Sequence, residues 1–169
     1  MAKVNLFPHF REFLKSLNSA GVRYLVVGGY AVIHYGYRRM TDDLDVWIAV
    51  DPTNAAKVSL VLQDFGGFPA SKVKPSMFQA MKKVFIFGRE PARIDILTSP
   101  SGVDFDSSFA NRNEVEWDRI KVPLISFEDL KQNKRGSGRT KDLADIENLP
   151  GGFPKRARRT ARNRKPGSA

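Results

Sequence analysis

A chain of 169 residues with no cysteine is long enough for one hydrophobic core and short for two. The missing thiols exclude a disulfide framework, a zinc–thiolate site and a thiol nucleophile, which suits a reducing, cytoplasmic setting. The net charge of +10 is unevenly placed: no acid follows Glu147, while Lys155, Arg156, Arg158, Arg159, Arg162, Arg164 and Lys165 add seven positive charges and leave +3 for the rest.

In chain order, residues 7–18 place Phe10, Phe13, Leu14 and Leu17 on one side of an amphipathic helix that ends near Gly21. The apolar run 24–27 reads as a buried strand that stops at Gly28-Gly29, and from Tyr30 the spacing of Ala31, Ile33, His34 and Tyr37 turns helical. The run 24–33 is broken by those glycines and is too short to span a bilayer. Arg11 and Glu12 stand where a secretory signal would carry apolar residues, so neither signal nor membrane anchor is expected. A strand over 44–50 leads to a helix over 52–65, with Pro52 in its first turn and Ala55, Val58, Leu62 and Phe65 as its stripe. Residues 70–83 are mixed and basic and carry no assignable pattern. Residues 84–87 and 93–97 read as a hairpin around Gly88-Arg89-Glu90-Pro91. A further strand over 120–125 is expected at a sheet edge because of Pro123. Ser126 caps the following helix, with Asp129 three residues on. Gly136-Ser137-Gly138 breaks that helix, and Thr140 is expected to cap a last one through Leu143, Ile146 and Leu149. Pro150-Gly151-Gly152-Phe153-Pro154 marks a boundary, dividing a domain over 1–149 from a basic tail over 150–169, expected to be disordered when free.

The chemistry concentrates between Gly28 and Asp95. A strand, a Gly-Gly turn and a helix start leave backbone N–H groups free to meet an anion. Asp43 and Asp45 stand two apart on a strand and so share a face, while Asp42 and Leu44 take the other. Two like charges held that close ask for a cation between them. Asp95 is an acid in an otherwise apolar, β-branched run, out of character for a core strand. Beside the Asp43/Asp45 strand it would complete a set of three hard oxygen donors, which suits Mg²⁺. Two such ions about 3.5–4 Å apart can activate a hydroxyl and stabilise a leaving pyrophosphate. Lys134 and Arg139 flank a glycine-rich turn, within reach of a triphosphate over that face. Asp142 and Asp145 fall on one helical side, either positioning the ligand or pairing with Lys141 or Arg139. Tyr30 and Arg39 stand near the turn, with core packing an equal reading for Tyr30. Lys131, Arg135 and Lys141 read as a solvated face, and His9 and His34 as structural.

The ordered set Gly28, Gly29, Asp43, Asp45, Asp95 resembles the DNA polymerase β-like nucleotidyltransferase superfamily. Arg39-x-Thr41-x-Asp43-x-Asp45 is similar to the fuller form found in small bacterial members. Residues 124–130 with Lys134, and Arg139-x-Lys141-Asp142-Leu143-Ala144-Asp145, look like the Lys and Asp-x-x-Asp motifs of AbiEii-type nucleotidyltransferases, which include toxins of toxin–antitoxin pairs. The resemblance runs from about residue 22 to 149. It implies an α/β (α+β) nucleotidyltransferase fold, a short mixed sheet flanked by helices in a single domain, with the site at one sheet edge. It also implies metal-dependent transfer of a nucleoside monophosphate from an NTP to an acceptor hydroxyl. Asp43, Asp45 and Asp95 would hold two Mg²⁺ ions, with Mn²⁺ as an alternative. Gly28, Gly29, Arg39, Thr41, Lys134, Arg139 and Asp142 would bind the nucleotide. Separate fingers and thumb domains have no room here. Three acceptor readings stand open: an RNA end, plausibly tRNA, in a toxin-like or RNA-modifying enzyme with an antitoxin partner; a protein or small-molecule hydroxyl; and, without catalysis, a nucleic-acid-binding module on the same fold.

Overall fold

The computed structural model describes residues 3–150, so the basic tail and its expected disorder lie outside the described residues. Helix α1 (Pro8–Ser19) starts at a proline whose missing N–H costs nothing in a first turn. Its Phe10, Phe13, Leu14 and Leu17 are all buried, each worth roughly 1.5–3 kcal/mol on transfer from water. That stripe packs against α3 (Pro52–Gly66) through Phe13 and Phe65, whose ring centroids are 5.3 Å apart. It also meets β1 (Tyr24–Val27), where the Tyr24 hydroxyl donates to Asn18 Oδ1 at 2.8 Å.

After β1 the chain turns directly into α2 (Gly28–His34), then β2 (Asp43–Ile48). Asp51 accepts from the Asn54 N–H at 2.8 Å and Pro52 fills the first turn of α3, which closes at Gly67 with φ 67°. A 3₁₀ turn (Pro75–Gln79) occupies the stretch that carried no pattern. It buries Phe78 against Phe85, centroids 5.0 Å apart. The expected hairpin forms as β3 (Val84–Phe87) and β4 (Arg93–Leu97), antiparallel. Next come α4 (Phe105–Ala110), β5 (Asn113–Trp117), β6 (Ile120–Leu124), α5 (Phe127–Ser137) and α6 (Thr140–Asn148).

The six strands make one mixed sheet in the order β3-β4-β2-β1-β6-β5. Strands β2 and β4 are parallel, and the helical crossover that parallel pairing demands is α3. Pro123 does not mark an edge: β6 lies between β1 and β5. Its pairing with β1 is at Val26↔Leu124, beyond the proline, so the absent N–H breaks no ladder bond there. Ser126 caps α5 as expected, accepting from the Asp129 N–H at 3.1 Å. Thr140 does not cap α6; it is the first helical residue, and Arg139 takes the cap position without a side-chain bond. Lys131 is not on a solvated face. Its stem is buried and its ammonium lies 4.5 Å over the Phe127 ring while pairing with Glu128 at 3.0 Å, as long amphipathic side chains do. Among the described residues no helix is long and apolar enough to cross a membrane.

Candidate active site

On β2, Leu44, Val46 and Ile48 are fully buried in the core, so the alternation of the strand sends Asp43 and Asp45 to the opposite face. Parallel pairing puts Asp45 directly beside Asp95 and Asp43 beside Arg93. Ligand oxygens of Asp43, Asp45 and Asp95 all lie within 4.8 Å of one another. The trio stands on two interior strands, which corrects the expectation of a site at a sheet edge. A groove of about 580 Å³ opens over it, walled by the Gly28–Gly29 turn, Arg39, Thr41, Lys134 and Arg139.

Gly28 must be glycine on two counts. Its φ is 68°, in the left-handed region, and a Cβ there would lie 2.8 Å from Asp45 Cγ. Gly29 is as confined: an added Cβ would meet Thr41 Oγ1 at 2.5 Å and Arg39 Nη2 at 3.3 Å. Thr41 donates from Oγ1 to the Asp43 carbonyl at 3.2 Å, tying the approach loop to β2. Tyr30 belongs to the core, packed edge-on against Phe10 with centroids 5.7 Å apart. Burial and the nearby Asp43 charge push its phenol up to about 12. His34 is structural, accepting at Nδ1 from Trp117 Nε1 at 3.1 Å.

Burial raises Asp45 well above the ordinary carboxylate range, and the charges of Asp43 and Asp95 add to that; Lys134 offsets part of it. Asp95 is raised as well, by burial and the Asp43 charge acting against its hydrogen bonds from Arg93. Those bonds form a fork, Nε to Oδ1 at 2.9 Å and Nη2 to Oδ2 at 3.0 Å, and Nη2 also reaches Asp43 Oδ2 at 3.2 Å.

Behind the turn lies a second set of charges. Lys134, Asp142 and Asp145 are 5%, 3% and 1% exposed. Lys134 Nζ donates to Asp142 Oδ1 at 2.8 Å and lies 3.0 Å from Asp145 Oδ2. Arg39 Nη2 donates to Asp145 Oδ2 at 3.0 Å, and its Nε stands 2.9 Å from Oδ1 as an ion pair without hydrogen-bond alignment. The exposed Arg139 donates from Nε to Asp142 Oδ2 at 2.8 Å, and Ser137 donates to the same oxygen. Burial alone would raise Asp142, but Lys134, Ser137 and Arg139 together hold it at about 2.

Residues 5–150 match a family model described as a nucleotidyltransferase of unknown function, DUF6036. The chain belongs to this family. By sequence, no curated protein matches this nucleotidyltransferase. Among solved structures, it is similar to a Thermotoga maritima protein assigned as a nucleotidyltransferase, at TM-score 0.54 and 18% identity over 92% of this chain and 91% of that one. A lincosamide antibiotic adenylyltransferase with lincomycin bound aligns at TM-score 0.53 and 19% identity, covering 86% of this chain and 98% of that one. An antigenic nucleotidyltransferase-like protein from Paracoccidioides brasiliensis aligns at 0.51 and 21% identity, covering 81% and 70%. At these identities the likeness is one of fold.

The acidic trio of this nucleotidyltransferase fits a divalent cation. Its donors are all carboxylate oxygens gathered within 4.8 Å, the chemistry of a hard ion. One residue of the neighbourhood escaped the sequence reading, and so did one partner of Asp145. Arg93 was readable as the i,i+2 companion of Asp95, on the same strand face. Asp145 joins Arg39 across 106 residues, a pairing that no local pattern announces.

Proposed function

We propose that this nucleotidyltransferase moves a nucleoside monophosphate from an NTP to an acceptor hydroxyl and releases pyrophosphate. The convergence of Asp43, Asp45 and Asp95 beside the Gly28–Gly29 turn carries the reading. Divalent cations held by the three carboxylates, Mg²⁺ or alternatively Mn²⁺, would supply charge neutralisation on the triphosphate and activation of the hydroxyl. The acceptor oxygen attacks the α-phosphorus as the bond to the β-bridging oxygen breaks, and Asp95 takes the hydroxyl proton. Gly28 and Gly29 let the backbone approach the phosphates, with Thr41 bracing that loop. Arg39 and Lys134 add fixed positive charge from a buried base, Asp142 anchors Lys134, and Arg139 reaches from the exposed rim. Catalysis rests on positioning and preorganised charge.

Each acceptor class has its own support. Ile86 pairs with Asp95 and Val84 with Leu97, so both share the carboxylate face, where they are 60% and 56% exposed. That apolar shelf favours a small molecule with an apolar side, the kind of acceptor named for the lincosamide adenylyltransferase. The RNA-end reading rests on the seven cations of the tail in a cytoplasmic enzyme. A toxin role with an antitoxin partner, of the AbiEii kind, rests on Lys134 and Asp142-x-x-Asp145. Label transfer from each α-³²P-NTP with Mg²⁺ into small-molecule, RNA and protein fractions of a lysate separates these readings. One fraction should be labelled from one NTP by the wild type and not by Asp43→Ala. No label in any fraction, with no Mg²⁺-dependent NTP binding, would leave a nucleic-acid-binding module instead.

A further inference from the structure

Arg93 has no part in the transfer described above, yet its guanidinium holds two of the three carboxylates. It grips Asp95 with both arms at 2.9 and 3.0 Å and reaches Asp43 at 3.2 Å, while Glu90 stands 3.8 Å behind it. Among the described residues no cation lies within ion-pair distance of Asp45. Lys134 and Arg39, which also line the groove, are committed to Asp142 and Asp145. Three ionised carboxylates carry −3, and Arg93 lowers this to −2. A single divalent ion neutralises that remainder, and a second has nothing left to balance it until a polyphosphate arrives.

From this geometry we propose that Arg93 is the resident counter-cation of the metal site. The inference rests on reading the trio as metal ligands. The guanidinium occupies both oxygens of Asp95 and one of Asp43 before any ion binds, and its charge competes with ions for the same oxygens. Metal loading is thereby tied to nucleotide: an NTP brings the negative charge that makes full occupancy favourable, and by linkage the ions raise NTP affinity by the same factor. Arg93 is a positioning residue, acting through Asp43 and Asp95.

The test is Mn²⁺ binding, read by calorimetry or by the loss of free-ion paramagnetic signal, with and without a non-hydrolysable NTP analogue. It uses the full chain, two neutral variants, Arg93→Gln and Arg93→Met, and the charge-keeping Arg93→Lys. Wild type should bind Mn²⁺ weakly alone and far more tightly with the analogue. Removing one unit charge at this range from a partly exposed site should tighten Mn²⁺ binding in the absence of analogue by about tenfold and shrink the effect of the analogue. Arg93→Lys, which keeps the charge and loses the fork, should bind Mn²⁺ as wild type does. Unchanged or weaker Mn²⁺ binding in the neutral variants overturns the proposal, as does equal tightening in Arg93→Lys. If wild type takes up no Mn²⁺ even with the analogue, the metal reading itself fails, and this proposal with it.

Discussion

Asp45 pairs with Val27 on one side and Asp95 on the other, and its carboxylate faces Asp43 and Asp95 with no cation in direct contact among the described residues. Burial and those two charges raise its proton affinity, which means that the ionised form weighs against the folded state at neutral pH. The sign follows from linkage: a carboxyl raised on folding adds stability only as pH falls through its folded value and the proton returns. Asp45→Asn supplies a neutral isostere permanently. It should raise the melting temperature at pH 7 while abolishing nucleotide transfer, the opposition expected where activity requires a strained charge cluster. Thermal unfolding beside the label-transfer assay reads both quantities. A lower melting temperature would show that Asp45 is stabilised by partners, against the charge argument. Asp95 shares the direction of shift, but its fork from Arg93 offsets the burial, so the effect belongs chiefly to Asp45.

Helices α5 and α6 are held to one another by Lys134, Asp142 and Asp145, with Arg39 reaching in from the loop before β2. Asp142 sits at about 2 against an ordinary 3.8, a difference worth about 2 kcal/mol of folding stability. Because the shift is downward, that stability is present above pH 4 and is lost as pH falls from 4 toward 2. Asp142→Asn should therefore unfold more easily at pH 7 and show a flatter stability profile between pH 5 and 2 than wild type. Urea unfolding across that range measures it, and parallel profiles would assign the shift to another group. Much of this element-level order was legible. The alternation over 43–48 and the lone acid at 95 pointed to the two strands that bring the three carboxylates together, because a period of two admits one face. Capping by Ser126 and the proline at the start of α3 were equally local signals. What escaped lies at short or long extremes. Helix α4 has six residues and β5 alternates Glu114 and Glu116 over a single buried Trp117, too little pattern to set against a loop. Pro123 reads as an edge residue only if pairing is assumed along the whole strand.

The family match ends at residue 150, and Leu149 is buried in the same core as α1 and the sheet. The composition break falls at the same place, and we propose a domain boundary at Pro150 with the seven cations beyond it. We therefore expect a chain ending at Pro150 to melt at the wild-type temperature and to keep Mg²⁺–NTP binding, since every residue placed around the groove precedes it. Its acceptor behaviour then distinguishes the two surfaces available to a substrate. If RNA is the acceptor and the tail grips it, each phosphate contact contributes roughly 0.7 to the slope of log K against log salt on a single strand, so truncation should flatten that slope by up to about five. If the acceptor lies on the Val84–Ile86 shelf, its capture is driven by apolar burial, which monovalent salt screens little. Turnover would then survive truncation and fall instead on Ile86→Lys, which places a charge on the apolar approach to Asp95. The truncated chain assayed across salt, beside Ile86→Lys in the full chain, should lose activity in one series only. That series names the surface through which the acceptor reaches the carboxylates.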